Sequence, residues 1–199
     1  IVSQSVDTEH RNKIRANHSC THLLHQSLKE VLGDHAEQRG SWVGPTHLRF
    51  DFPHHEAVTK EQLQTVEIKV NKLIQNNHSV STSVTSLDKA KEAGVTALFG
   101  EKYENEVRVV NIGENSNELC GGTHLKSTSE ALAFVITSES SIASGVRRIE
   151  AITGKKALAH LFTQQQILKK ASLLLQGKAE DVESKISQLQ SDNQSLRKE

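Results

Sequence analysis

His18-Ser-Cys-Thr-His22 sits inside a run in which Ile14, Leu24, Leu28 and Val31 recur at helical spacing. Asp7 or Thr8 can cap the start of that run and Gly33 marks its end, so the sequence predicts a helix whose two histidines share one face. About a hundred residues later, Cys120-Gly-Gly-Thr-His124 repeats the same spacing of two metal-capable side chains. Its paired glycines predict a tight turn that aims Cys120 and His124 at one point. Together the clusters offer three imidazoles and one thiolate, the donor set of a tetrahedral zinc site.

Neighbouring residues narrow the chemistry. His25 extends the helix face by nearly a turn and can support the ligands or lie solvated. Zinc proteases of the HExxH type need a Glu after the first His, and Ser19 stands there, so that class is excluded. Cys20 and Cys120 are the two cysteines. Positions 18 and 20 point about 200° apart on a helix, which sends Cys20 toward a core and away from the metal.

Working outward, Leu48-Arg-Phe-Asp-Phe52 alternates as a half-buried strand should. Thr59-Lys-Glu-Gln62 has capping-box spacing and opens a helix with Leu63, Val66, Val70, Leu73 and Ile74 on one face. Residues 79–85, 106–112, 131–138 and 145–152 read as further strands, and residues 87–93 as a short helix closed by Gly94. The mixed order predicts an α+β fold, a mixed or antiparallel sheet with packed helices, over residues 1–153. Residues 154–199 read as a helical arm. Leu158, Leu161, Gln165, Leu168, Ser172 and Leu175 follow spacings of three and four, as do Val182, Ile186, Leu189, Asn193 and Leu196. Both a helical hairpin and a connector or oligomerisation arm fit that pattern.

The 199 residues carry 24 basic and 24 acidic side chains, so the chain as a whole lacks the electrostatic footprint of a nucleic-acid binder. Apolar runs fall short of membrane-spanning length and the start lacks a signal-peptide pattern, which predicts a cytoplasmic protein with no membrane partner and reduced thiols. A start at Ile1 and the absence of Met are what a segment of a longer polypeptide would show.

Five stretches carry a family resemblance: Arg15-Ala-Asn-His-Ser-Cys-Thr-His-Leu-Leu-His25, Leu48-Arg-Phe-Asp-Phe52, Ala97-Leu-Phe-Gly-Glu-Lys-Tyr103, Glu118-Leu-Cys-Gly-Gly-Thr-His124 and Gly145-Val-Arg-Arg-Ile-Glu150. In order and spacing they resemble the editing domain of alanyl-tRNA synthetases, and the tail is similar to the start of the helical region that follows it. The resemblance implies hydrolysis of tRNA(Ala) mischarged with serine or glycine. It also implies zinc held by His18, His22, Cys120 and His124, and a substrate pocket that includes Thr21 and Gln38. The implied partners are that tRNA, the remaining domains of a synthetase and a second copy through the helical region. Cys20 departs from the alanine common in the family.

Four protein ligands would leave zinc positioning its surroundings, whereas three ligands and a water would open it for catalysis. The catalytic base is unassigned among Asp51, Glu118 and His25. Arg147 and Arg148 are candidates for tRNA phosphate contact, or a surface salt-bridge element. The alternative function is a zinc-stabilised RNA-binding or oligomerisation module without catalysis.

Overall fold

The computed structural model describes residues 2–97, 103–113 and 116–198. In chain order its elements are α1 (Thr8–Leu32), β1 (Gly40–Val43), β2 (Leu48–Pro53), α2 (Lys60–Gln75), β3 (Val80–Ser86), α3 (Leu87–Glu92), β4 (Glu106–Ile112), β5 (Ser116–Leu119), β6 (Phe134–Ala143), β7 (Val146–Thr153), α4 (Gly154–Leu174) and α5 (Val182–Leu196). The fold is α+β. Local chemistry sets the helix ends: the Asp7 carboxylate accepts from the His10 N–H at 3.0 Å, and Gly33 stops α1 at φ 109° while donating to Lys29 O. Thr59 and Gln62 form the full capping box of α2.

The strands make two antiparallel sheets, where the sequence suggested one. The larger has the order β1-β2-β7-β6 and the smaller β3-β4-β5. The sequence reading omitted β1 and β5. Each has four residues, too few for alternation to stand out, and β5 is largely polar.

Ile1–Ala157 form one compact unit. Its main core surrounds α1: Cys20, Leu23, Leu24 and Leu28 pack with Leu48, Phe50 and Phe52 of β2, Val66 and Val70 of α2, Val110 and Ile112 of β4, and Ile149 of β7. Each fully buried Leu or Phe contributes about 1.5–3 kcal/mol relative to exposure. Because α1 is enclosed by both sheets and α2, its polar side is buried as well: Asn17, Ser19, Thr21, His22, His25 and Ser27. Buried polar groups need partners, and theirs form the site.

Leu158–Glu199 form the second unit. Its helices are joined through Gly177 and a 3₁₀ turn at Ala179–Asp181, with Lys185 Nζ donating to Leu175 O at 2.9 Å and Gln176 O at 2.8 Å. Leu161, Phe162, Leu168 and Leu189 remain exposed. Among the described residues, no helix is long and apolar enough to cross a membrane.

Candidate metal centre

One helical turn separates His18 from His22, so both rings leave α1 on the same side, with centroids 5.3 Å apart. The loop that follows β5 brings Cys120 and His124 to them. The Cys120 N–H donates to Arg108 O at 3.0 Å, extending the β4–β5 pairing by one residue, and the Arg108 guanidinium returns to Cys120 O at 2.9 Å and Gly122 O at 2.6 Å. At the far end of the loop, Arg15 donates to His124 O, and the Leu125 N–H donates to Ser19 Oγ at 3.1 Å. The ligand atoms of His18, His22, Cys120 and His124 all lie within 4.8 Å of one another, a group able to hold a metal ion.

The turn works differently from the sequence expectation. Neither Gly121 nor Gly122 takes a positive φ. Gly122 is instead required by close approach, because a Cβ there would overlap the His18 ring.

Three observations bear on whether these residues fit a metal. Cys120 Sγ lies 3.4 Å from His18 Nε2 and 3.4 Å from His124 Nε2. Tetrahedral bonds of about 2.3 Å to sulfur and 2.0–2.1 Å to nitrogen would put such atoms about 3.5 Å apart. His22 Nε2 is buried with no hydrogen-bond partner among the described residues, while its Nδ1 lies 2.7 Å from Glu118 Oε2. His124 Nδ1 is likewise engaged, 3.2 Å from Ser19 Oγ, leaving Nε2 for the cluster. The residues fit.

At Cys120 and His124 the electrostatics agree with a ligand set. Burial pushes the Cys120 thiol up, but hydrogen bonds from His124 and His18 and the nearby His22 ring outweigh it and hold its pKa at about 3. That shift favours the thiolate, the form that binds metals. Burial also opposes the charged form of His22, yet the neighbouring Glu118 carboxylate and Cys120 sulfur raise it to about 9, so a metal at Nε2 would have to displace a proton. Burial alone would raise Glu118, but bonds from His22 and His25 hold it well below the usual carboxylate range. In His124, burial dominates and lowers the pKa to about 4.

The remaining sequence candidates are placed as follows. Thr21 is buried and donates its hydroxyl to Asn17 O at 2.8 Å. Gln38 is half-buried in the segment leading to β1. Asp51 accepts a bidentate pair from Arg148 at 2.7 and 2.8 Å, and Arg147 pairs in the same way with Glu139. Both arginines are thus engaged in the larger sheet, as the salt-bridge reading has it. His25 is buried, its Nδ1 3.4 Å from Glu118 Oε1 and its Nε2 without a partner among the described residues. Cys20 is fully buried in the main core, and burial pushes its thiol up to about 12.

Sequence reasoning left Ser19, Arg15 and Arg108 out of the site and took Glu118 only as a possible base. The strand pairing accounts for Glu118. On β5 it pairs with Val110, so strand alternation turns it, like Ser116, toward α1 and its histidines. Of the 97–103 stretch, residues 98–102 lie outside the described residues.

Comparison with known proteins follows the same lines. Residues 107–150, which include Cys120 and His124, match the family described as the threonyl and alanyl tRNA synthetase second additional domain. The chain is 48% identical over 198 residues to the alanine–tRNA ligase of Shewanella loihica, and 48% over 198 residues to that of Clostridioides difficile. It is 46% identical over 195 residues to that of Rickettsia akari. These matches cover 98–100% of this chain but 22–23% of the relatives, so the chain spans under a quarter of their length. The chain corresponds along its length to a segment of alanine–tRNA ligases that carries the second additional domain of threonyl and alanyl tRNA synthetases.

Proposed function

We propose that this chain is the proofreading part of an alanine–tRNA ligase and hydrolyses the ester joining serine or glycine to tRNA(Ala), at a zinc centre held by His18, His22, Cys120 and His124. The observation that carries the reading is the convergence of these four side chains, from segments about a hundred residues apart, in a chain matched along its length by alanine–tRNA ligases. A synthetic site for a small side chain cannot reject near-isosteres strongly, so fidelity requires a second, hydrolytic site.

Zinc held by all four side chains would be closed and would supply positioning and positive charge beside the ester, whereas Lewis-acid chemistry would need one ligand to give way to water or substrate. The chain's own residues orient and shield. Glu118 fixes His22, Ser19 fixes His124, and Arg15 and Arg108 pin the loop that carries Cys120. Asp51 is paired with Arg148, which disfavours it among the three candidate bases. The ion pairs of Arg147 and Arg148 favour a structural role, so phosphate contacts are expected from the ligase's remaining domains. Those domains, tRNA(Ala) and a second copy through the helical region are the partners this reading implies, in the cytoplasm where tRNA is charged.

The test is incubation of the zinc-loaded chain with seryl-tRNA(Ala), with and without a chelator. Serine release that the chelator abolishes is expected, with alanyl-tRNA(Ala) spared. Metal-dependent folding with no release would favour the non-catalytic zinc module instead.

A further inference from the structure

Glu118 stands one step behind the four converging side chains. It is 4% exposed, and both carboxylate oxygens are engaged: Oε2 by His22 Nδ1 at 2.7 Å, and Oε1 by Ser116 Oγ at 3.0 Å and His25 Nδ1 at 3.4 Å. A carboxylate that accepts from Nδ1 fixes the proton on that nitrogen and leaves the lone pair on Nε2, the buried atom of His22 that has no other partner among the described residues. We infer that Glu118 is a positioning residue for the metal, acting through His22 by holding its ring and tautomer so that Nε2 faces the ion.

The inference rests on the zinc reading above and adds to it a reason for Glu over its amide. A divalent ion with the Cys120 thiolate alone leaves one positive charge in a buried site. The Glu118 carboxylate cancels it: two positive charges against two negative ones. An uncompensated buried charge is costly, and the ion's own charge has to be counted in the balance. Gln at 118 would keep the size and accept from His22, but would lose the charge and weaken the hold on the ring. Carboxylate–histidine–metal arrangements of this kind change metal affinity by about 10- to 100-fold when the outer group is replaced.

The experiment compares zinc affinity of the wild-type chain and Glu118→Gln by competition with a chromophoric chelator, each also in a His22→Ala background. Glu118→Gln is expected to weaken zinc binding by about 10- to 100-fold. In the absence of His22 the same change is expected to cost clearly less than in its presence, because the route through the ring is gone and only the loss of charge remains. A cobalt-loaded Glu118→Gln protein is expected to show a shifted visible spectrum, which a purely structural role would leave in place. Equal zinc affinity in wild type and Glu118→Gln, or full additivity with His22→Ala, overturns the inference while leaving the zinc centre standing. A wild-type chain that takes up no zinc overturns both. If Glu118→Gln does not fold, nitrogen NMR of the zinc-loaded wild type decides. A proton on His22 Nδ1 with metal at Nε2 supports the role, and metal at Nδ1 overturns it.

Discussion

Alanine is smaller than serine by one hydroxyl, so a site that hydrolyses seryl-tRNA and spares alanyl-tRNA cannot select by steric exclusion. Selection has to come from a partner for the serine hydroxyl that alanine would leave unpaired. Thr21 fits that requirement on this reading. Its hydroxyl proton is spent on Asn17 O at 2.8 Å, which leaves the buried oxygen as an acceptor, one residue from His22. Thr21→Val keeps the shape and removes the oxygen. It is expected to slow serine release from seryl-tRNA(Ala) on the order of tenfold, the scale of one buried hydrogen bond. Zinc content and glycine release should change much less, as single-turnover deacylation on both substrates will read. Equal losses on the two substrates would instead assign Thr21 to holding α1, the back-bonding role its geometry also allows.

At the level of elements, α1 is anchored by polar contacts as well as by its apolar core. Asn17 Nδ2 donates to Gly44 O at 2.7 Å in the turn after β1, and Thr153 Oγ1 at the end of β7 donates to Asn17 Oδ1 at 2.7 Å. This one amide ties the helix, next to His18, to two strands of the larger sheet. Asn17→Ala strands a buried carbonyl and frees a buried hydroxyl, at about 1–3 kcal/mol for each unsatisfied group. Urea unfolding of the variant is expected to show a loss in that range, and an unchanged midpoint would mean that water replaces the amide. The sequence made α1 legible because its cap, its stop and its apolar spacing are local features. It also disclosed the two ligand pairs, whose spacing is local too. What it withheld was everything set by non-local pairing. The division into two sheets, the four-residue strands β1 and β5, and the partners Glu118, Ser19 and Arg108 depend on the β4–β5 register and on how α1 lies against it. Periodicity along one segment carries no information about these. The buried polar side of α1 was legible only as residues, since surface exposure is the ordinary fate of Asn, Ser and His on a helix.

Across the whole molecule, the metal centre and the core fasten the same two parts of Ile1–Ala157: α1 from the start of the chain, and the loop after β5 from beyond its middle. Ligands from distant segments make metal binding part of the folding free energy, so occupancy and stability of this unit should rise and fall together. On the proposed reading, one zinc ion is held by three imidazoles and the Cys120 thiolate. X-ray absorption at the zinc edge, on the chain carrying a measured amount of metal, tests it most directly. About one zinc per chain is expected, with one sulfur at about 2.3 Å and three nitrogens at about 2.0–2.1 Å, and loss of the sulfur shell together with metal in Cys120→Ala. A zinc shell without sulfur, or undiminished zinc content in both Cys120→Ala and His18→Ala, would contradict it.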